Sequence, residues 1–365
     1  MPTNVLVSGA SGYIGSMLLA ALAQNESIGN IIGVDMRIDA ESHGRFGNSR
    51  LIQADISDDD WIEEVKDEKI DVVVHCAYQV RQLYGKDSEA QRRWNVDGSR
   101  KVFEFALGTP SVRRLIQLST ISAYGARAAN SREDNLGEGA PLGEETYLYG
   151  VQKREIETLL QELYRQHAPS THVVLLRLAS VSGPHGRFDL NRYGLVSTVA
   201  GRFPFVICGR PDWGRQYLHE DDIVAVLSML TELPPAQGFD VFNVSPQDYL
   251  SAHDLGRLLG KRVLSIPPVL LRLAFWLIWH GTRGAVTTPP GAWKFLSYPI
   301  RVDGSRLTEA HGYRYRYTSL DAFLAETGQY ARPRVLVSDT HGLGSNQQAA
   351  GHEARADRRT PVRPR

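Results

Sequence analysis

Two cysteines in 365 residues are too few for a disulfide framework, and Cys76 and Cys208 stand in apolar runs without metal-ligand spacing. They read as buried thiols in a reducing compartment. Net charge is missing as well. Lys plus Arg and Asp plus Glu each total 41, so no overall field favours nucleic acid or an acidic surface. The chain opens without a basic-then-apolar segment and enters a core strand by residue 4, so no secretory leader is expected. Long apolar runs are also scarce. The longest, Val269 to Trp279, is interrupted by Arg272 and is too short to span a bilayer. No internal repeat is visible. These absences leave a cytoplasmic, soluble protein as the expectation, long enough to bury a large core.

What is present starts with Gly9-Ala-Ser-Gly12-Tyr13-Ile14-Gly15. Before it runs Asn4-Val-Leu-Val-Ser8, a buried-strand pattern; after it runs the apolar-rich helix former Ser16 to Gln24. Asp35 ends the next apolar run, twenty residues past Gly15. A strand, a glycine turn, a helix and a carboxylate at the tip of the second strand make a dinucleotide site. Gly9 permits the turn, Gly12 lets backbone approach a pyrophosphate, and Gly15 lets helix and strand pack closely. The helix start faces the phosphates with its N–H groups. Asp35 accepts ribose hydroxyls and repels a 2′-phosphate, so NAD is expected over NADP, with Arg37 close enough to argue the other way.

Through about residue 178, strands (4–8, 31–35, 51–54, 71–75, 112–118, 172–178) alternate with helices (13–24, 57–67, 88–107, 145–167). This rhythm predicts an α/β fold, a doubly wound parallel sheet of Rossmann type. After Gly183-Pro184 it breaks into shorter pieces. The expected organisation is a nucleotide-binding core over 1–182, a smaller substrate lobe over 183–330 interleaved with the last core strands, and a disordered tail over 331–365. The tail carries seven Arg against Asp339, Glu353 and Asp357, and little that could form a core.

Chemistry concentrates in Tyr149-Gly-Val-Gln-Lys153, which opens a helical pattern. Spacing of i and i+4 sets phenol and ammonium on one helix face. The cation favours phenolate and prepares an acid–base for a hydroxyl or carbonyl, while Lys153 can also hold ribose hydroxyls. The same pair could be an ordinary surface pair. Ser119 and Thr120, however, place hydroxyls at the carboxyl end of a core strand, where open α/β sheets bind ligands.

Taken together, these motifs resemble the extended short-chain dehydrogenase/reductases, the NAD-dependent epimerase/dehydratase family, over about residues 3–328. Further matches are Asp55-Ile56, His75-Cys76-Ala77, Asn95-Val-Asp-Gly98, Leu176-Arg177 through Gly183-Pro184, Arg215 through Asp222 and Phe242-Asn-Val244. The resemblance implies Tyr149 as acid–base, Lys153 as its partner and ribose anchor, and Thr120 as the hydroxyl on the reacting oxygen. It implies Ser119 beside the nicotinamide, Asp55 and Ile56 at the adenine, Ala77 near the cofactor, and Asn95 on a helix behind it. A helix cap is the plainer reading of Asp55, and of Asp221 and Asp222; Arg177 and His219 read more simply as structural hydrogen bonders.

Where nucleotide-sugar members of this family often carry Asn, this chain has Ser180, whereas Arg215 matches the Arg they aim at the diphosphate. Thr120 is followed by Ile121-Ser122 and not by the Asp-Glu of the dehydratase branch, which argues against 4,6-dehydration. The apolar stretch 266–279 reads as a helix packed on the sheet, as a wall of the substrate cleft, or as a membrane-surface face. The expected activity is therefore that of an NAD-dependent oxidoreductase or epimerase on a secondary alcohol or ketone, a sugar or nucleotide-sugar. The alternatives are a dehydrogenase for an apolar, 3β-hydroxysteroid-like substrate and a non-catalytic NAD-binding regulator. A small-molecule substrate and a homodimer are expected, with no metal, nucleic-acid or transmembrane partner.

Overall fold

Strand runs this apolar can only lie inside a sheet covered on both faces, and that is where they lie. The computed structural model describes residues 2–38, 49–85, 87–167, 170–185 and 204–326. The expected tail over 331–365 falls outside them. The first six strands are β1 (Thr3–Ser8), β2 (Ile28–Asp35), β3 (Arg50–Gln53), β4 (Val72–His75), β5 (Arg114–Thr120) and β6 (His172–Leu178). After them come β7 (Ser180–Ser182), β8 (Phe205–Cys208), β9 (Gly214–Arg215), β10 (Tyr217–His219), β11 (Phe239–Val244), β12 (Leu250–Ser251) and β13 (Arg262–Ser265). The main sheet has seven parallel strands in the order β11-β6-β5-β4-β1-β2-β3. Chain order reverses between β1 and β4, where Ser8 stands beside His75. A doubly wound sheet opens its ligand crevice at the carboxyl ends flanking such a switch point.

Helices α1 (Tyr13–Leu22), α2 (Asp60–Val65), α3 (Asp87–Arg92), α4 (Gly98–Gly108), α5 (Leu148–His167) and α6 (Glu220–Glu232) connect and flank these strands. Leu18, Leu19 and Leu22 of α1 join Ile223, Val226, Leu227 and Leu230 of α6 in one apolar cluster. A second cluster brings Val102, Phe103 and Ala106 of α4 to Ile156, Leu159, Leu160 and Leu163 of α5. A third, around Trp213, Tyr217, Leu255 and Phe323, belongs to the small strands and to α7 (Ala252–Leu259), α8 (Pro268–Gly281), α9 (Lys294–Ser297) and α11 (Ser319–Glu326), whereas Leu307 of α10 (Ser305–His311) joins the first cluster.

Several boundaries differ from the sequence reading for local reasons. The single helix expected over 88–107 is split by a wide π turn, Arg93–Asp97, which carries the buried Asn95. Helix α5 starts at Leu148 and not at 145, because Glu144 Oε1 takes the N–H groups of Glu145, Thr146 and Tyr147 first. Asp221 and Asp222 do not cap α6. His219 does, its Nδ1 accepting the Asp221 N–H at 3.1 Å, while buried Asp222 accepts the Tyr313 hydroxyl at 2.7 Å. Helix α8 leaves most of its apolar side chains in solvent, so it is not simply packed on the sheet.

Candidate active site

The glycine turn is fixed by sterics. Gly9 has φ +75°, and a Cβ there would stand 2.5 Å from the Ala77 nitrogen; one on Gly15 would stand 2.1 Å from the Gly9 carbonyl oxygen. Those are backbone atoms, which have nowhere to go. Gly12 is the N-cap of α1, no side chain caps it, and its N–H donates to the Gly9 carbonyl at 3.0 Å. Ile14 packs on the core below. The Tyr13 hydroxyl donates to the buried Glu220 carboxylate, which also accepts the His185 N–H at 3.1 Å. Asp35, at the tip of β2, accepts one N–H on each oxygen, from Ser11 and from Arg37, both at 3.0 Å. Each oxygen keeps a further lone pair for a hydroxyl. A close backbone approach, an uncapped helix start and a carboxylate at the second strand tip fit a dinucleotide.

Asp55 closes a local turn: its Oδ1 accepts from the Ser57 N–H at 2.9 Å and hydroxyl at 2.8 Å, and its Oδ2 from Arg93 at 3.0 Å. Ile56 beside it is buried in the second cluster. Asn95 works as a staple. It accepts the Gln79 N–H at 2.8 Å and donates to the Gln79 carbonyl at 3.2 Å and to Gln152 of α5 at 3.0 Å. It thereby ties the segment after Ala77 to the helix that carries Tyr149. Ser119 donates to Glu157 at 2.5 Å and is buried, so its hydroxyl serves the interior.

Tyr149 lies in the first turn of α5, half-buried, its ring 5.4 Å from that of Tyr78 and 5.9 Å from that of Tyr147. One turn on, Lys153 is buried. Its Nζ donates to the Leu118 carbonyl at 2.8 Å and sits 4.0 Å from the Tyr78 ring centroid. Burial brings the Lys153 ammonium down to about 7 and lifts the Cys76 thiol to about 12. Burial likewise drives His75 down to about 3, between the Ser8 and Ser99 hydroxyls. Thr120 ends β5 and caps the short turn Ile121–Tyr124, its Oγ1 accepting the Ser122 N–H at 3.1 Å. The phenol, the ammonium and the Thr hydroxyl thus come from two adjoining elements at the carboxyl end of the sheet.

A buried network backs this corner. Arg177 of β6 donates to Glu157 of α5 at 2.8 Å and to the Tyr124 hydroxyl at 2.8 Å; Tyr124 donates to Asn243 of β11 at 2.8 Å. Arg177 is structural, as the plainer reading held. From the other side comes Arg215 of β9, which donates to Ser180 at 3.3 Å and to the Phe295 carbonyl at 2.8 Å. Its buried Nε has no partner among the described residues. Burial lowers the Arg215 pKa, so an anion beside it would be strongly held.

A family profile described as "NAD dependent epimerase/dehydratase family" matches residues 5–245. The chain belongs to that family. Its fold, its enzyme class and its NAD dependence follow from membership in the epimerase/dehydratase family. An uncharacterised protein of Mycobacterium tuberculosis is 28% identical over 372 aligned positions, covering 99% of this chain and 93% of that protein. The ADP-L-glycero-D-manno-heptose-6-epimerase of Brachyspira hyodysenteriae is 25% identical, covering 66% of this chain and 74% of that enzyme. Among solved structures, the UDP-glucuronic acid 4-epimerase of Bacillus cereus with UDP-glucuronic acid and NAD shares the fold. Its TM-score is 0.65 at 22% identity, over 90% of this chain and 99% of that one.

Sequence reasoning passed over several residues of this epimerase/dehydratase site: Tyr78, Gln152, Glu157, Glu144 and Glu220. Only Glu157 left a usable signal, four residues after Lys153 on the same helix face. Tyr78, Gln152 and Glu220 meet their partners across long stretches of sequence, and Glu144 takes the N–H groups of the three residues that follow it.

Proposed function

We propose that this enzyme interconverts a secondary alcohol and its ketone on the sugar of a nucleoside-diphosphate sugar, with epimerisation as the net result. Arg215 carries this reading: a half-buried guanidinium whose buried Nε–H has no partner among the described residues suits a diphosphate. The sugar-nucleotide epimerases among its relatives agree with it. Arg215 and Phe295 both come from beyond Gly183-Pro184, which supports 183–330 as the substrate lobe. Ile121 and Ser122 after Thr120 supply no acid–base pair for eliminating water, so epimerisation or plain redox is favoured over dehydration.

NAD, when bound, accepts a hydride from the substrate carbon and returns it. The turn at Gly9, Gly12 and Gly15 and the start of α1 would hold its pyrophosphate, Asp35 the adenosine ribose, and Asp55, Ile56, Ala77 and Asn95 the edges of its site. Tyr149 removes the proton from the substrate hydroxyl and gives one back to the carbonyl oxygen. Lys153, in its protonated form, favours the phenolate that Tyr149 needs. Thr120 keeps its hydroxyl hydrogen for the same substrate oxygen while its lone pair takes the Ser122 N–H. Tyr78 and Tyr147 hem the Tyr149 ring and fix its orientation.

The aromatic set Tyr78, Tyr147, Tyr149 and Phe295 also suits a second reading, an apolar hydroxy or keto substrate; Tyr147 and Phe295 rings are 4.9 Å apart. Assay against UDP-, ADP- and dTDP-sugars beside steroid-like alcohols separates the two. Turnover of a nucleotide sugar, lost on Arg215→Met, is expected; turnover of the apolar alcohols alone would refute the first reading. Tyr149→Phe is expected to lower turnover by about 10² to 10⁴ while NAD affinity stays within a few-fold. Near-normal turnover by that variant would sink the mechanism.

A further inference from the structure

Helix α8 buries Leu271 and Trp279, half-buries Phe275 between them and turns the opposite side outward. That outward side consists of Val269, Leu270, Leu273, Trp276 and Leu277, each between 51% and 68% exposed, with His280 beside them and exposed Arg272 at the edge. A helix face in water normally carries charge there. Clustered exposed apolar side chains of this size mark a surface built to be covered.

The surrounding charge says by what. Between Asp254 and Asp303 the chain has no Asp or Glu, yet it has seven Lys and Arg. Over the whole sequence the two signs balance, so this is a local excess. Arg262, Arg272 and Arg283 are exposed within it. A second copy of the chain would fit poorly. A two-fold contact sets a patch against itself, here the exposed Arg262, Arg272 and Arg283 against their own like. At 14 residues and about 1.5 Å per residue, α8 is also too short for a bilayer core of about 30 Å, and no helix among the described residues is long and apolar enough to cross one.

We propose that α8 is a membrane-surface docking element, lying in the plane of an anionic bilayer with Leu273, Trp276 and Leu277 inserted and the flanking arginines at the headgroups. Docking there would hold the active site close to the membrane. The Tyr84 ring packs 5.4 Å from Trp279 and its hydroxyl bonds His280 Nδ1 at 3.1 Å, while Arg81 donates to the Gly284 carbonyl at 3.3 Å. Both belong to the loop that leaves the end of β4 just after Ala77, the residue against Gly9.

Co-sedimentation of the full-length protein with phosphatidylglycerol/phosphatidylcholine vesicles, at about 0.1 M salt, tests this. Binding is expected to exceed that to pure phosphatidylcholine vesicles at least tenfold. The double variant Leu273→Glu/Leu277→Glu should lose at least tenfold of it while keeping the thermal shift given by NAD, which certifies its fold. Failure of the wild type to sediment, equal binding to neutral vesicles, or unchanged binding by the variant would each overturn the proposal. A wild-type dimer that the variant converts to monomer, with neither sedimenting, would assign the face to a second copy instead.

Discussion

At the scale of single residues, Lys153 is the side chain whose surroundings change its chemistry most. Burial holds it near 7 in the folded protein against an ordinary value of 10.5, its Nζ resting on the Leu118 carbonyl. Below about pH 7 both folded and unfolded chains bind this proton. Between about 7 and 10.5 the unfolded chain binds more, so the contribution of Lys153 to stability rises with pH, by at most about 1.4 kcal/mol per pH unit. Urea unfolding of wild type and Lys153→Met from pH 7 to 9 should therefore show wild type gaining on the variant. A constant difference would mean that the ammonium is not suppressed by the fold. Tyr149 and Lys153 were legible as a pair from their spacing alone. The burial of Lys153 was not, because it depends on Tyr78 closing over it from 75 positions away.

Among the elements, β5, α5, β6 and β11 are locked by one buried set: Ser119, Glu157, Arg177, Tyr124 and Asn243. The Arg177–Glu157 pair is almost wholly shielded from water, so removing one partner strands a charge. Arg177→Ala is expected to cost about 3–5 kcal/mol, read as a fall in unfolding midpoint. Removing both charges with Arg177→Met/Glu157→Leu should cost less than the single change. An equal or larger loss would show that packing, and not the stranded carboxylate, sets the penalty. The elements themselves were mostly readable. Apolar runs located the first six strands to within a few residues, since strands covered on both faces leave little else to encode. The π turn at Arg93–Asp97 was invisible, because the reason for it is Asn95 reaching Gln79 and Gln152 at once.

For the whole molecule, ligand linkage gives the most direct check on the cofactor site. NAD at about 100 times its dissociation constant should add about 2.7 kcal/mol of stability, seen as a raised melting temperature. NADP at the same concentration should add less, since its 2′-phosphate would meet the Asp35 carboxylate. Asp35→Ala should erase the difference. A larger shift with NADP on the wild type would give the selectivity to Arg37.

The sequence by itself determined the parallel sheet, the glycine turn with Asp35, and the Tyr149–Lys153 pair, because each is written in local spacing: an apolar run, a triplet of glycines, an i and i+4 step. Only the tertiary structure decided what those pieces press against. Glu220 takes the Tyr13 hydroxyl from 207 residues away, Arg215 meets Phe295 across 80, and α8 turns its apolar side outward. Such partners depend on how far the chain travels before it returns, and a hydrogen bond or an exposed face leaves no period in the residues that make it.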